Sequence, residues 1–220
     1  MLTVHHLNNS RSQRVLWLLE ELEVPYTITH HQRDPKTNLA PASLKAVHPL
    51  GKSPLLDDDG QIVAESAVIL EHLIERYGPQ LQAAPGDAAQ QARYWLHYAE
   101  GSLMPFLVMS LVFQKIKTAP MPFFIRPIAK GIADQVMKAF VEPNVSNNLR
   151  YVDAHLAKHT WFAGEQLSIA DFQMSFPLEA AMHRSALAAQ LPHIAEYVRR
   201  VQARPAYQRA LAKGGPYDYA

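Results

Sequence analysis

The 220-residue sequence predicts two domains of different class, a small α/β domain followed by an all-helical one. Up to Gly78, strand-like and helix-like runs follow one another as βαβ, an irregular helix, then ββα. Gly78–Gly86 (Gly-Pro-Gln-Leu-Gln-Ala-Ala-Pro-Gly) is then a linker by composition, with two Pro and two Gly in nine residues. Beyond it, apolar residues recur at helical spacing only. The division is 1–78, a linker at 79–86, and 87–220.

In order, Leu2–His6 is a strand and Leu7-Asn8-Asn9-Ser10 a turn. Arg11–Glu23 is a helix, with Val15, Leu18, Leu19 and Leu22 on one face and Pro25 as its stop. Tyr26–His31 is a second strand. With a helix between them, the two strands should be parallel and joined by a right-handed crossover. The stretch 34–47 is irregular, interrupted by Pro35 and Pro41, with a helical turn or two at Ala42–Val47. Pro54 stands at the mouth of strand Leu55–Leu56, where its missing N–H costs no ladder bond. Asp57–Gly60 is a hairpin turn, Gln61–Ala64 the return strand, and Ser66–Tyr77 an amphipathic helix. Past the linker, helices are expected over Asp87–Lys117, kinked at Pro105, and over Phe124–His159, interrupted near Pro127 and Pro143. Ser168–Arg184, Pro192–Ala203 and Pro205–Lys213 complete the set.

Composition excludes several functions. Twenty-one basic against 20 acidic residues, net +1, leave no basic face for nucleic acid. With no cysteine, a disulfide scaffold, a Cys-ligated zinc site and a protein thiol nucleophile are ruled out. The start of the chain carries no signal-peptide pattern, and no uninterrupted apolar run reaches the length of a membrane span. A cytoplasmic protein with no membrane partner is expected. His5-His6 and His30-His31 fall on neighbouring strands, but adjacent strand residues point to opposite faces, so no metal is expected.

His48–Ser66 concentrates the chemistry. A sharp turn at Ser53–Pro54 would present the Ser53 backbone as an edge for an extended peptide, Lys52 supplies a cation, and a helix starting at Ser66 accepts an anion. The same residues also read as a plain strand–turn–strand–helix unit with Ser66 as its cap. Ser10 and Gln13 form an S-x-x-Q capping box, which is the structural reading of Ser10. The functional reading uses the same place: a hydroxyl beside a helix N-terminus stabilises an anion.

Four short matches, in order along the chain, resemble the soluble glutathione transferases. They are Asn9-Ser10-Arg11-Ser12-Gln13-Arg14-Val15, Gly51-Lys52-Ser53-Pro54, Glu65-Ser66, and Gly164–Asp171 with Ser168 capping and Asp171 at the third helical position. The resemblance covers essentially the whole chain and points to a bacterial-like member with a serine-type active site. It implies a thioredoxin-like first domain, glutathione as co-substrate and a homodimer. Ser10 would hydrogen-bond the glutathione sulfur, with Asn9 and Arg11 as alternatives. Lys52 would face the glycine carboxylate, Ser53 the cysteinyl backbone, Pro54 would be a cis-proline, and Glu65 and Ser66 would hold the γ-glutamyl group. Glu100 would reach the γ-glutamyl amine across a dimer. His48 and Ser53 depart from the residues commonest at their positions.

A small apolar electrophile is expected between the domains, against a wall of Phe106, Met109, Phe113, Met121 and Phe123, although such a stripe also reads as core. Conjugation of the thiolate to this electrophile is the leading activity. Reduction of an organic hydroperoxide shares its first step, and a non-catalytic binding module is the rival from another class.

Overall fold

The computed structural model describes residues 1–35, 37, 39–184 and 187–220. The first half runs β1 (Leu2–Leu7), α1 (Ser12–Leu22), β2 (Tyr26–His31), α2 (Ala42–Val47), β3 (Leu55–Asp58), β4 (Gln61–Ala64) and α3 (Ser66–Tyr77). The sheet order is β2-β1-β3-β4. β1 pairs parallel with β2, as the intervening helix demands, and antiparallel with β3. Leu2, Val4 and Leu7 of this central strand are all buried. The β3–β4 turn is Asp59-Gly60 with φ of 51° and 90°, the left-handed pair that suits a two-residue hairpin. Gly60 N–H donates to Asp57 Oδ1 at 2.6 Å. In the irregular stretch 34–47, residues 36 and 38 lie outside the described residues, and α2 is anchored by Leu44.

The second half is α4 (Asp87–Tyr98), α5 (Met104–Thr118), α6 (Arg126–Val136), α7 (Glu142–Leu156), α8 (Ile169–Arg184), α9 (Pro192–Gln202) and α10 (Pro205–Gly214). Pro105 and Pro143 occupy equivalent places. Each is the second residue of a helix that continues directly from a five-residue π-helical stretch, Ala99–Leu103 before α5 and Met137–Val141 before α7. Met104 N–H donates to the Ala99 carbonyl and Glu142 N–H to the Met137 carbonyl. The widened turn adjoins the point where a proline ring would press on the carbonyl four residues back. Pro127 instead lies at the start of α6, where its missing N–H costs nothing.

The run Asp87–Thr118 spans 32 residues, and its most apolar 18-residue window has a mean hydropathy of 1.3. By length and composition it reaches what a membrane span needs, which a count of uninterrupted apolar residues misses. Trp95, Leu96, Ala99 and Leu103 along it are buried in the protein core.

One apolar core is continuous across both halves, with α1 as the seam. The Trp17 ring on α1 lies 4.4 Å from that of Phe172 on α8 and 5.8 Å from Tyr207 on α10. Glu20 on α1 accepts from Tyr26 Oη at 2.7 Å and Arg209 Nε at 2.9 Å, and also pairs with Lys213. At the start of α8, Asp171 Oδ2 accepts from Ser168 N–H at 2.8 Å and Ser168 Oγ at 3.0 Å, and Asp171 Oδ1 from Phe162 N–H at 2.9 Å. This is the buried helix start that the sequence places there.

Candidate active site

A polar pocket of about 240 Å³ opens beside the seam. Arg11, Lys52, Ser53, Pro54, Glu65, Ser66 and Glu100 all line it, together with His48 and Leu50. Local structure explains the gathering. Gly51 has φ +56°, and a Cβ there would lie 2.6 Å from Lys45 Cγ, so the loop before Lys52 needs glycine. The Ser53–Pro54 peptide is cis, and β3 begins one residue later. Glu65, at φ 72°, turns the chain from β4 into α3.

Glu65 itself occupies the N-cap position of α3, with no side-chain cap bond, so Ser66 is not a cap. Ser66 is the first helical residue, buried, at a helix start whose first-turn N–H groups favour an anion.

The Ser10–Gln13 capping box does not form either. α1 starts at Ser12 with Arg11 as N-cap and no side-chain cap bond. Ser10 Oγ instead accepts from Ser12 N–H at 3.2 Å and lies 2.8 Å from Ser12 Oγ. Ser12 Oγ in turn lies 2.8 Å from His6 Nδ1. On its other side, Ser10 Oγ is 3.5 Å from Ser53 Oγ on the pocket wall. Ser10 thus touches the pocket through Ser53 rather than lining it. Burial, with His30 nearby, pushes His6 down to about 4, so its imidazole is neutral at physiological pH.

Asn9, at φ 51°, is turned away. Its Nδ2 donates to Asp218 Oδ2 at 2.8 Å, and its Oδ1 accepts from Asp218 N–H at 2.9 Å. Arg11 Nε donates to both oxygens of Glu100, at 2.9 and 3.0 Å. Glu100 also accepts from Arg14 Nη1 at 2.7 Å. Burial raises the Glu100 carboxyl, but Arg14 and Arg11 outweigh it and hold the group below its ordinary value. Glu100 enters the pocket from its own chain, so no second subunit is needed to bring it there. Ser12, His6 and Arg14 are missed by the sequence reading. The Ser-x-Ser spacing within Asn-Ser-Arg-Ser-Gln is the signal that would have found Ser12.

A second, larger cavity of about 580 Å³ lies within the helical half. It is walled by α5 (Leu107, Ser110, Leu111), the Met137–Val141 stretch, α7 (Val145) and the end of α8 (Ala181, Arg184). Phe106, Met109, Phe113, Met121 and Phe123 do not line it. Phe106, Met109 and Phe113 form the adjoining stripe on α5, partly buried against the core, and Phe123 is 82% exposed. Helical spacing alone leaves the choice between two neighbouring stripes open.

A four-stranded mixed sheet, an all-helical half packed on α1 and a polar pocket at their seam define a two-domain protein of thioredoxin-like fold. Residues 10–76 match the model of the glutathione S-transferase N-terminal domain, and residues 112–205 that of the C-terminal domain. Glutathione S-transferase 3 of Schizosaccharomyces pombe is 40% identical over 97% of this chain and 88% of its own. Glutathione S-transferase 1 of Saccharomyces cerevisiae is 34% identical over 97% and 95%. A solved glutathione S-transferase from Actinobacillus pleuropneumoniae superposes with a TM-score of 0.79 at 32% identity, over 100% of this chain and 95% of that one. The chain belongs to the glutathione S-transferase family.

Proposed function

We propose that this chain binds glutathione in the seam pocket, ionises its thiol with the help of Ser10, and conjugates the thiolate to an apolar electrophile. The observation that carries the reading is the convergence of Lys52, Ser53, Pro54, Glu65 and Ser66 on one pocket, with Ser10 Oγ against Ser53. Lys52 and a helix start match a ligand with two carboxylates, and Glu65 matches its one ammonium. Lys52 serves the glycine carboxylate, the Ser53 backbone the cysteinyl unit, and Glu65, Ser66 and Glu100 the γ-glutamyl group. Residues 1–78 form the glutathione domain, 79–86 the linker and 87–220 the electrophile domain, in a cytoplasmic homodimer.

The magnitudes close. A free thiol has a pKa of about 8.5, so ionisation at neutral pH needs about two units, or roughly 2.7 kcal/mol. A hydrogen bond to the charged sulfur contributes about 1.5–3 kcal/mol, and a helix start about 0.3–1. Ser10 Oγ accepts from Ser12 N–H, and it donates to Ser53 Oγ at a long 3.5 Å, a contact that a bound sulfur would replace. The same thiolate also serves hydroperoxide reduction. A second glutathione would then resolve the sulfenic product, since the chain has no cysteine.

The test is the ultraviolet thiolate absorbance of bound glutathione titrated with pH, for the wild type and Ser10→Ala. A depressed pKa that returns toward the free value in the variant is the expected result. Depression unchanged by the variant removes Ser10 from the role, and no saturable signal leaves a non-catalytic binding module.

A further inference from the structure

The turn that carries Ser10, between β1 and α1, is held from distant parts of the chain. Asn8 Oδ1 accepts from Arg33 N–H at 3.2 Å, and Arg11 Nε donates to Glu100. Asn9 is bound from the segment that follows α10. Its two amide atoms engage the side chain and the backbone of Asp218, at 2.8 and 2.9 Å. Contacts in two directions fix the orientation of Asn9 as well as its distance.

The place of this contact matters because Asn9 has φ 51°. Left-handed backbone is open to asparagine but is not its commonest state, so a restraint is needed to keep it. Asn9 sets the direction in which the chain enters Ser10, and so where Ser10 Oγ stands against Ser53. The bonds to Asp218 are exposed, and each alone is weak. Asp218 itself, however, is ordered from both sides. Gly215, at φ +85°, turns the chain out of α10. Tyr217 Oη donates to the buried Glu179 at 2.7 Å, Gln202 Nε2 donates to the Tyr219 carbonyl at 3.2 Å, and the Tyr219 ring lies 5.8 Å from that of Phe176. Little further entropy is lost when Asp218 engages Asn9. A strap that served stability alone would need only the tyrosines.

We propose that residues 215–220 form a clasp on the turn before α1, with Asp218 a positioning residue that sets Ser10 through Asn9. The proposal rests on the glutathione reading of Ser10, and two measurements on the full chain separate them. Without glutathione, amide hydrogen exchange over residues 8–11 should quicken about fivefold in Asp218→Ala, the scale of one lost hydrogen bond. It should return to the wild-type rate in Asp218→Asn, whose amide oxygen still accepts from Asn9. With glutathione bound, the thiol pKa should rise by about half a unit in Asp218→Ala, recover in Asp218→Asn, and show no added rise when Asp218→Ala is combined with Ser10→Ala. Asp218 is exposed, and an unchanged thermal melting curve verifies folding. Exchange unaffected by Asp218→Ala overturns the clasp. So does a thiol pKa that responds to Ser10→Ala but not to Asp218→Ala, or an Asp218→Ala effect that persists in full without the Ser10 hydroxyl. Quickened exchange with a thiol pKa indifferent to Ser10→Ala upholds the clasp and removes the glutathione role of Ser10 instead.

Discussion

Arg14 Nη1 and Glu100 Oε1 meet at 2.7 Å across the boundary between the sheet-bearing and helical halves. The Arg14 side chain is fully buried, while about a third of Glu100 remains exposed, at 34%. The same Nη1 donates to Gln173 Oε1 at 3.0 Å. One carboxylate therefore neutralises a buried guanidinium and also faces the seam pocket beside Arg11. Folding stability and the electrostatics of the site share a single residue.

Removing that carboxylate should cost stability first. Glu100→Ala leaves the buried Arg14 charge uncompensated, and a loss of about 3 kcal/mol is expected, near the low end for a broken buried pair because Glu100 is partly solvated. Glu100→Gln, which keeps an acceptor, should lose less. The Glu100 carboxyl is held below its ordinary value, so its contribution is present above the unfolded-state pKa and lost as pH falls through the lower folded value. Urea unfolding should thus separate wild type from Glu100→Gln at neutral pH and bring them together in strong acid.

Ligand affinity should depend on the start of α3. Ser66→Ala removes a buried hydroxyl that forms no side-chain hydrogen bond among the described residues. Each of Ser66→Ala and Glu65→Ala should weaken glutathione binding by about 1–2 kcal/mol, roughly five- to thirtyfold. Calorimetric titration with glutathione reads this directly. For the exposed Glu65, stability should move by no more than about 0.5 kcal/mol. Unchanged affinity in both variants would detach the helix start from the site.

Local pattern made much of this molecule readable. Asp59-Gly60, Pro25 and the apolar spacing of α1 are decided by neighbours in sequence, and so is the gathering of Lys52, Pro54, Glu65 and Ser66 within one short stretch. Long-range geometry was not readable in the same way. Arg14 and Glu100 lie 86 residues apart, and Asn9 and Asp218 lie 209 apart. Even the local capping box at Ser10 failed, because Ser10 Oγ takes Ser12 N–H in the turn before the helix, and α1 starts two residues after it. On α5, periodicity identified an apolar helix without saying which stripe faces the larger cavity.

Glu179 should give the stability of the protein an unusual slope with pH. It sits on α8 at 1% exposure, accepting from Tyr217 Oη at 2.7 Å, from Tyr207 Oη, and from Gln202 Nε2 at 3.4 Å. Burial pushes its carboxyl up to about 7, and these donors recover only part of that rise. A raised folded-state pKa means the native state holds the proton more tightly than the unfolded chain does. The resulting stability is complete below the unfolded-state value and is lost as pH rises through about 7. Asp171, also lifted to about 7 by burial, slopes the same way, so the wild-type curve alone does not isolate Glu179. The diagnostic is the difference from Glu179→Gln, which keeps an acceptor for the tyrosines but no titration. Between about pH 5 and pH 8, urea unfolding should show the wild type losing about 1–3 kcal/mol relative to that variant. A constant difference across the range would mean that the three donors hold Glu179 ionised throughout, with hydrogen bonding outweighing burial.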